Sequence, residues 1–263
     1  MKSLAARRRH PLAAFVVLFL ALVTMGGLYT AFAPSQRAEA APGVSAQQVE
    51  KGRLLFVNGC STCHGMQAQG TGSAPSLIGV GAAAVDFQVS TGRMPADQPD
   101  VAQSQPKPPV YSEKETAALA AYVGSLGLGP AIPAEHQYAY RGADVAEGGE
   151  LFRTNCATCH NFAGEGGALT EGKSAPKLTD STPKLMYEAM VTGPASMPVF
   201  NDGAIPDEQK KEIIAYVKHV QEQPNEGGYG LGRLGPVTEG LFLWTVGLGA
   251  LIGVAVWIGA KSS

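Results

Sequence analysis

Hydrophobic and polar positions divide this 263-residue chain into two apolar ends and a patterned middle. Residues 12–32 and 241–260 run without a charged side chain. Each run has roughly 20 residues, enough to cross the hydrocarbon core of a bilayer as a helix. Between them the apolar positions recur at helical spacing: Leu119, Tyr122, Val123 and Leu126 in one stretch, Ile213, Ile214 and Val217 in another. Ser45 with Gln48 and Ser112 with Glu115 have the spacing of capping boxes and predict helix starts there. A second late helix starts near Pro206-Asp207. Pro-rich connections run over 95–109 and 127–142, and 223–236 joins the patterned middle to the last apolar run.

The ends carry orientation signals. Arg7-Arg8-Arg9 ahead of the first apolar run keeps the N-terminus cytoplasmic and sends the following chain outward. Ala38-Glu39-Ala40 before Ala41 has the small-x-small form of a cleavage site, so the run is either a retained anchor or a cleaved leader. Both readings deliver the middle to the extracytoplasmic side. The second run has Trp244 and Trp257 near its ends, as interfacial belts require, and Lys261 follows it on the cytoplasmic side.

The middle is one unit written twice. Gly52, Leu55-Phe56 and Cys60-Ser61-Thr62-Cys63-His64 are matched by Gly148, Leu151-Phe152 and Cys156-Ala157-Thr158-Cys159-His160, and both Gly52–Gly148 and Cys60–Cys156 are 96 positions apart. Ser73-Ala74-Pro75 is matched by Ser174-Ala175-Pro176, and Thr91-Gly92 before Met94-Pro95 by Thr192-Gly193 before Met197-Pro198. Landmark order is kept while spacing drifts, as happens when core elements persist and loops vary. Each unit reads as a short helix, a cysteine motif, a long loop and a closing helix. Gly52 and Gly148 weaken the helix that carries them. Close approach of a second helix at those points would account for both.

Composition narrows the chemistry. A formal net charge of −2 gives no support for nucleic-acid binding, and 33 Gly, 18 Pro and 7% aromatics describe a loop-rich middle held by something besides an aromatic core. All four cysteines fall in the two Cys-x-x-Cys-His motifs, which is the attachment signal for c-type haem. Two thiols one helical turn apart can add to the vinyl groups of one haem edge, and the next His is then placed beneath the iron. A shared zinc site would leave both His residues coincidental. A thioredoxin-like redox pair lacks its βαβ surroundings. A disulfide across three residues has no structural use, and chance does not place two such motifs inside a matched repeat.

The sixth iron ligand separates electron transfer from catalysis. Met94 and Met197, each followed by Pro and each between the motif and the closing helix, are the candidates. Met66 is too near His64 to cross the ring, and Met186 and Met190 read as core residues of a helix. Pro75 and Pro176 either offer backbone carbonyls to His64 and His160 or punctuate turns. His10, His136 and His219 read as solvated side chains.

Two domains that each resemble class I cytochrome c, flanked by apolar terminal segments, are similar to the dihaem cytochrome cc subunit of the actinobacterial menaquinol–cytochrome c reductase (the bcc complex). The resemblance implies a mainly α fold with two tandem class I cytochrome c-like domains and N-terminal and C-terminal transmembrane helices. The divisions are 1–40 for the basic flank and first membrane segment, 45–127 and 143–222 for the two domains, 128–142 and 223–236 for linkers, and 237–260 for the last span. It implies two covalently bound haem c groups, one held by Cys60, Cys63, His64 and Met94, the other by Cys156, Cys159, His160 and Met197. It also implies a cytochrome b subunit, a Rieske iron–sulfur donor and an aa3-type oxidase as acceptor at the cell membrane. The chain would then be a translocase subunit with no catalytic residues of its own. Two alternatives remain: the dihaem electron-transfer subunit of another oxidase or periplasmic dehydrogenase, and a dihaem enzyme with one open iron.

Overall fold

The computed structural model describes residues 12–32, 43–98, 103–223 and 236–261. The basic triplet at 7–9, His10, the cleavage-site pattern at 38–41 and nearly all of the 223–236 connection lie outside the described residues. The fold is mainly helical. After an apolar helix α1 (Ala13–Phe32), the first unit contains α2 (Ala46–Gly59), α3 (Ser61–His64), α4 (Ala82–Ser90) and α5 (Glu113–Gly124). The second contains α6 (Glu135–Tyr138), α7 (Val145–Asn155), α8 (Ala157–His160), α9 (Pro183–Thr192) and α10 (Asp207–Glu222). Between α8 and α9 it has a short antiparallel ribbon of β1 (Gly167–Ala168) and β2 (Ser174–Ala175), with Gly167 opposite Ala175.

One helix crossing is built twice. In the first unit α2 lies on α5, and in the second α7 lies on α10. A Cβ on Gly52 would sit 1.9 Å from the Ala118 carbonyl oxygen, and one on Gly148 would sit 1.9 Å from that of Glu212. Only a hydrogen at these positions lets the backbones meet so closely. One turn on, Phe56 packs on Tyr122 and Phe152 on Tyr216, with ring centroids 5.3 Å apart in both pairs. Phe56 and Phe152 are fully buried, and each contributes about 1.5–3 kcal/mol of hydrophobic stabilisation. Two separate cores result, one around Phe56, Leu119 and Val123, the other around Phe152, Ile213 and Ile214.

The helix starts follow local chemistry, with one departure. Ser112 and Glu115 form the complete capping box. At Ser45 only half of the expected box exists. The Ser45 hydroxyl accepts from the Gln48 N–H at 3.1 Å, but the Gln48 amide turns away and donates to the Ala117 carbonyl at 3.3 Å. The pull of the neighbouring helix α5 outcompetes the local cap. Pro206 occupies the N-cap position of α10, so the helix starts where the Pro206-Asp207 pair predicts.

The chain between the units is not slack. Pro130 accepts a hydrogen bond from the Ala83 N–H at 3.1 Å, so the early part packs on the first unit. Farther on, Gln137 donates to the Tyr187 oxygen and to Asp207, each at 3.1 Å, so α6 packs on the second. The units also touch directly through α4 and α9. Across this junction Lys184 pairs with Asp86, and the Gln103 amide exchanges two hydrogen bonds with the Ser174 backbone, at 2.9 and 2.8 Å.

At the C-terminal end, α11 (Pro236–Phe242) runs through a wider π-type turn, Leu243–Leu248, into α12 (Gly249–Lys261). Over Thr238–Lys261 the rod is 24 residues long and contains an 18-residue stretch of mean hydropathy 2.2, none of it buried, long and apolar enough to cross a membrane. The apolar stretch of α1, Ala13–Leu28, is shorter. Lys261 lies over the Trp257 ring, 4.8 Å from its centroid, pairing cation and aromatic ring at the end of the rod.

Candidate functional site

Each cysteine motif begins at the last turn of a helix. The Cys60 N–H donates to Phe56 O and the Cys156 N–H to Phe152 O, both at 2.8 Å. The chain then winds into a one-turn helix, with His64 N–H on Cys60 O at 3.0 Å and His160 N–H on Cys156 O at 2.9 Å. That turn leaves Cys60 and Cys156 half-buried, exposes Cys63 and Cys159, and buries both imidazoles. None of the four cysteines is in a disulfide.

The loop after each motif returns to hold the imidazole. Gly70 N–H donates to His64 O at 2.8 Å, and Gly166 N–H to His160 O at 2.9 Å. Both glycines have positive φ, +84° and +77°, and a Cβ on either would strike backbone of the returning strand. These turns bring the Pro75 carbonyl to 2.8 Å from His64 Nδ1 and the Pro176 carbonyl to 3.0 Å from His160 Nδ1. Of the two readings open for the prolines, the carbonyl partnership is the one found. The hydrogen bond makes Nδ1 the protonated nitrogen and leaves Nε2 with its lone pair.

The methionines arrive by another repeated device. After α4 the chain turns at Gly92 (φ +68°), where a Cβ would lie 1.9 Å from Lys107 O, and Met94 follows with its N–H on Gln88 O at 2.9 Å. After α9 it turns at Gly193 (φ +59°), and Met197 follows with its N–H on Pro194 O at 3.0 Å. Met94 packs against the first core and Met197 against the second. Met186 and Met190 are buried in the second core, as a helix reading of them requires, although both also border the cavity there.

That cavity has a volume of about 430 Å³ and is bordered by Cys156, Cys159, His160 and Met197 of the second unit. Its wall is completed by first-unit residues, among them Arg93, Met94 and Gln103. Burial pushes the Cys156 thiol up to about 12, with the nearby Cys159 adding to the effect, and raises Cys60 in the same way. Neither is therefore the activated thiolate that a redox-active pair carries. Burial also lowers the His160 pKa, with the Pro176 bond opposing, so its ring is neutral and able to donate a lone pair. Among the described residues no group of three or more His, Cys, Asp or Glu side chains is placed to hold a bare ion. The donor set of one His nitrogen and one Met sulfur per unit fits an iron already held by a macrocycle, and the paired thiols fit attachment to its edge.

The sequence reading missed the residues where the units meet. Arg93, Asp86, Lys184 and Glu188 belong to no motif and no matched position of the repeat. Adjacency to Met94 was the single available pointer to Arg93.

Comparison with known proteins agrees with the duplicated architecture. The family model for cytochrome c matches residues 49–127, and that for cytochrome c oxidase, cbb3-type, subunit III matches residues 143–217. The chain therefore has two cytochrome c domains, which imply haem c. The cytochrome bc1 complex cytochrome c subunits of Mycobacterium bovis and Mycobacterium tuberculosis are each 45% identical, over 97% of this chain and 93% of theirs. That of Corynebacterium diphtheriae is 43% identical, over 99% of both chains. With this identity over nearly its whole length, the chain belongs to the family of cytochrome c subunits of the actinobacterial cytochrome bc1 complex.

Proposed function

We propose that this chain relays single electrons for a menaquinol–cytochrome c reductase, with haem c bound covalently at Cys60 and Cys63 and at Cys156 and Cys159. His64 with Met94, and His160 with Met197, would hold the two irons. The observation that carries this reading is the duplicated pair of buried imidazoles, each held at Nδ1 by a proline carbonyl. A bound haem c supplies an iron that takes up and gives up one electron with little change in its surroundings. The residues of this chain do the rest. The proline carbonyls fix the tautomer and aim of each imidazole. The Gly92 and Gly193 turns deliver a thioether sulfur, a ligand that raises the potential. The Phe56 and Phe152 crossings hold each closing helix against the helix that leads into the cysteine motif.

Membership in the bc1-complex family implies cytochrome b and Rieske subunits as partners, and quinol oxidation belongs to them. We further assign electron entry from the Rieske protein to the first domain (45–127) and exit toward an aa3-type oxidase to the second (143–222). Segments 128–142 and 223–236 serve as connections, and 237–260 serves as an anchor in the cell membrane. Segment 1–40 is a second anchor when retained, which makes the chain multi-pass, and a leader when cleaved. Either way the haem domains lie on the extracytoplasmic side.

The test is haem retention in denaturant. The wild-type chain, expressed with its own ends in a host that matures c-type cytochromes, should keep two haems per chain after acid–acetone extraction. Cys60→Ala/Cys63→Ala and Cys156→Ala/Cys159→Ala should each keep one. Haem that washes out of the wild type overturns covalent attachment. Carbon monoxide added to the reduced protein should leave the spectrum unchanged; a bound-CO spectrum at one haem would favour the open-iron enzyme instead. Purification in mild detergent without a cytochrome b or Rieske subunit would sink the partner assignment.

A further inference from the structure

The cavity beside His160 is not closed by its own domain. Cys156, Cys159 and His160 border it, whereas Cys60, Cys63 and His64 do not, so by its anchors it is the second domain's cavity. Yet Pro75, Phe87, Arg93, Met94 and Gln103 of the first domain complete the wall, so the same cavity also reaches the carbonyl that holds His64 and the methionine assigned to the first iron. The lining is largely apolar, and the permanent cations on it are Arg93 and Lys173. Lys173 has a carboxylate of its own, Glu171 at 3.3 Å. No carboxylate among the described residues lies within salt-bridge distance of Arg93. Its guanidinium lies over the Phe87 ring, 4.9 Å from the centroid, and Phe87 also borders the cavity. Arg93 is half-buried and Phe87 is buried, so the charge is held in place by packing rather than free in solvent.

A cation withdrawn from water without a counter-charge is costly, and proteins pair such groups. Among the described residues the wall contains no anion for it, so the partner is expected from what fills the cavity. Haem carries two propionate carboxylates. Arginine presents planar paired donors that match a carboxylate with two parallel hydrogen bonds.

We propose that Arg93, a first-domain residue, binds a propionate carboxylate of the second domain's haem and thereby positions that cofactor across the domain junction. The inference rests on haem c occupying the second site as proposed above. It makes the second site incomplete without the first domain. A fixed positive charge beside a cofactor favours its more negative, reduced form, so Arg93 also raises the reduction potential of that haem.

The experiment uses the full chain purified with its complex, as Arg93→Gln and Arg93→Lys. Haem content by pyridine haemochrome is read first: two haems per chain show that the site assignment stands, independently of Arg93. Potentiometric titration then follows each haem, with Met197→His as a spectral marker for the second. In R93Q the second haem's midpoint should shift to lower potential while the first holds, and the propionate bending band in resonance Raman should change. R93K keeps the charge but not the paired geometry, so it should hold the midpoint near wild type and still alter the Raman band. An unchanged midpoint and band in R93Q, or a shift confined to the first haem, overturns the proposal. If R93Q does not mature, R93K decides the matter through the Raman band, and a wild-type band overturns it.

Discussion

Lys184 of the second domain reaches across the junction to lie 2.5 Å from the Asp86 carboxylate of the first. It also lies 3.6 Å from Glu188, one turn along its own helix α9. Glu188 is completely buried, and neither of its carboxyl oxygens has a hydrogen-bond partner. Three ionisable groups thus share the contact between domains, with one positive charge for two carboxyls. The conflict resolves by protonation: burial first, and then the Asp86 charge, push Glu188 up to about 9, against the pull of Lys184. Asp86 keeps Lys184 as its partner, and Glu188 is neutral at pH 7.

This arrangement predicts a pH dependence of stability. Glu188 holds its proton in the folded chain up to about 9 but releases it near 4.5 when unfolded. The folded state therefore binds more protons through that window. The stabilisation from Glu188 is complete below 4.5 and is lost progressively as pH rises toward 9. Glu188→Gln mimics the protonated form and removes the slope. Its apparent Tm should exceed wild type by more at pH 8 than at pH 5, with a gain of about 1–3 kcal/mol at pH 7. Parallel Tm curves for the two proteins across pH 5–9 would contradict a neutral Glu188.

Removing the cation should do the opposite. Lys184→Met leaves Asp86 almost buried and without its partner. The expected loss is about 1–3 kcal/mol, less than for a fully buried pair because Lys184 retains some exposure. Asp86→Asn/Lys184→Met together should recover part of it, since no buried charge is stranded. Thermal unfolding of Lys184→Met, Asp86→Asn, the double variant and wild type measures the coupling.

The helix crossings should tolerate nothing larger than hydrogen. Gly52→Ala and Gly148→Ala each place a methyl 1.9 Å from a carbonyl oxygen of the facing helix. Alanine favours the helix by about 1 kcal/mol over glycine. Forcing the helices apart costs about 1–3 kcal/mol or more and disturbs the Phe56–Tyr122 or Phe152–Tyr216 contact. Both variants should melt at lower temperature, and each should release its own domain's protection against proteolysis. A rise in Tm would mean that the crossings have slack.

Met94→His and Met197→His test the axial assignment one domain at a time. Replacing a thioether by an imidazole should lower the potential of one haem and leave the other at its wild-type value. Optical redox titration reads both. Unchanged potentials and spectra in either variant would remove that methionine from the ligand set and turn attention, in the second domain, to Met186 and Met190, which border the same cavity.

The cysteine motifs, the repeat and the apolar ends were all legible in the sequence, because each is a local pattern whose chemistry depends on spacing along the chain. Two thiols and an imidazole share one helical turn wherever Cys-x-x-Cys-His winds into a helix. Gly52 and Gly148 pointed to a close approach because each weakens its helix at the same place in both units. For Pro75 and Pro176, which hold the same place in both units, the sequence leaves a carbonyl partnership and a turn role both open, and the structure has the first.

What local pattern does not encode is how the two domains meet. Asp86 and Lys184 are 98 positions apart and Gln103 and Ser174 are 71 apart. No periodicity pairs them, and Glu188 reads as an ordinary charge on an amphipathic helix until α4 covers it. Gln48 likewise gave up its predicted cap for a carbonyl 69 positions away. The sequence by itself determined which residues can carry the chemistry, because that follows from residue type and spacing along a helix or loop. Only the tertiary structure decided which domain completes which cavity and which buried carboxyl keeps its proton, because both depend on surfaces that come together after the local elements have formed.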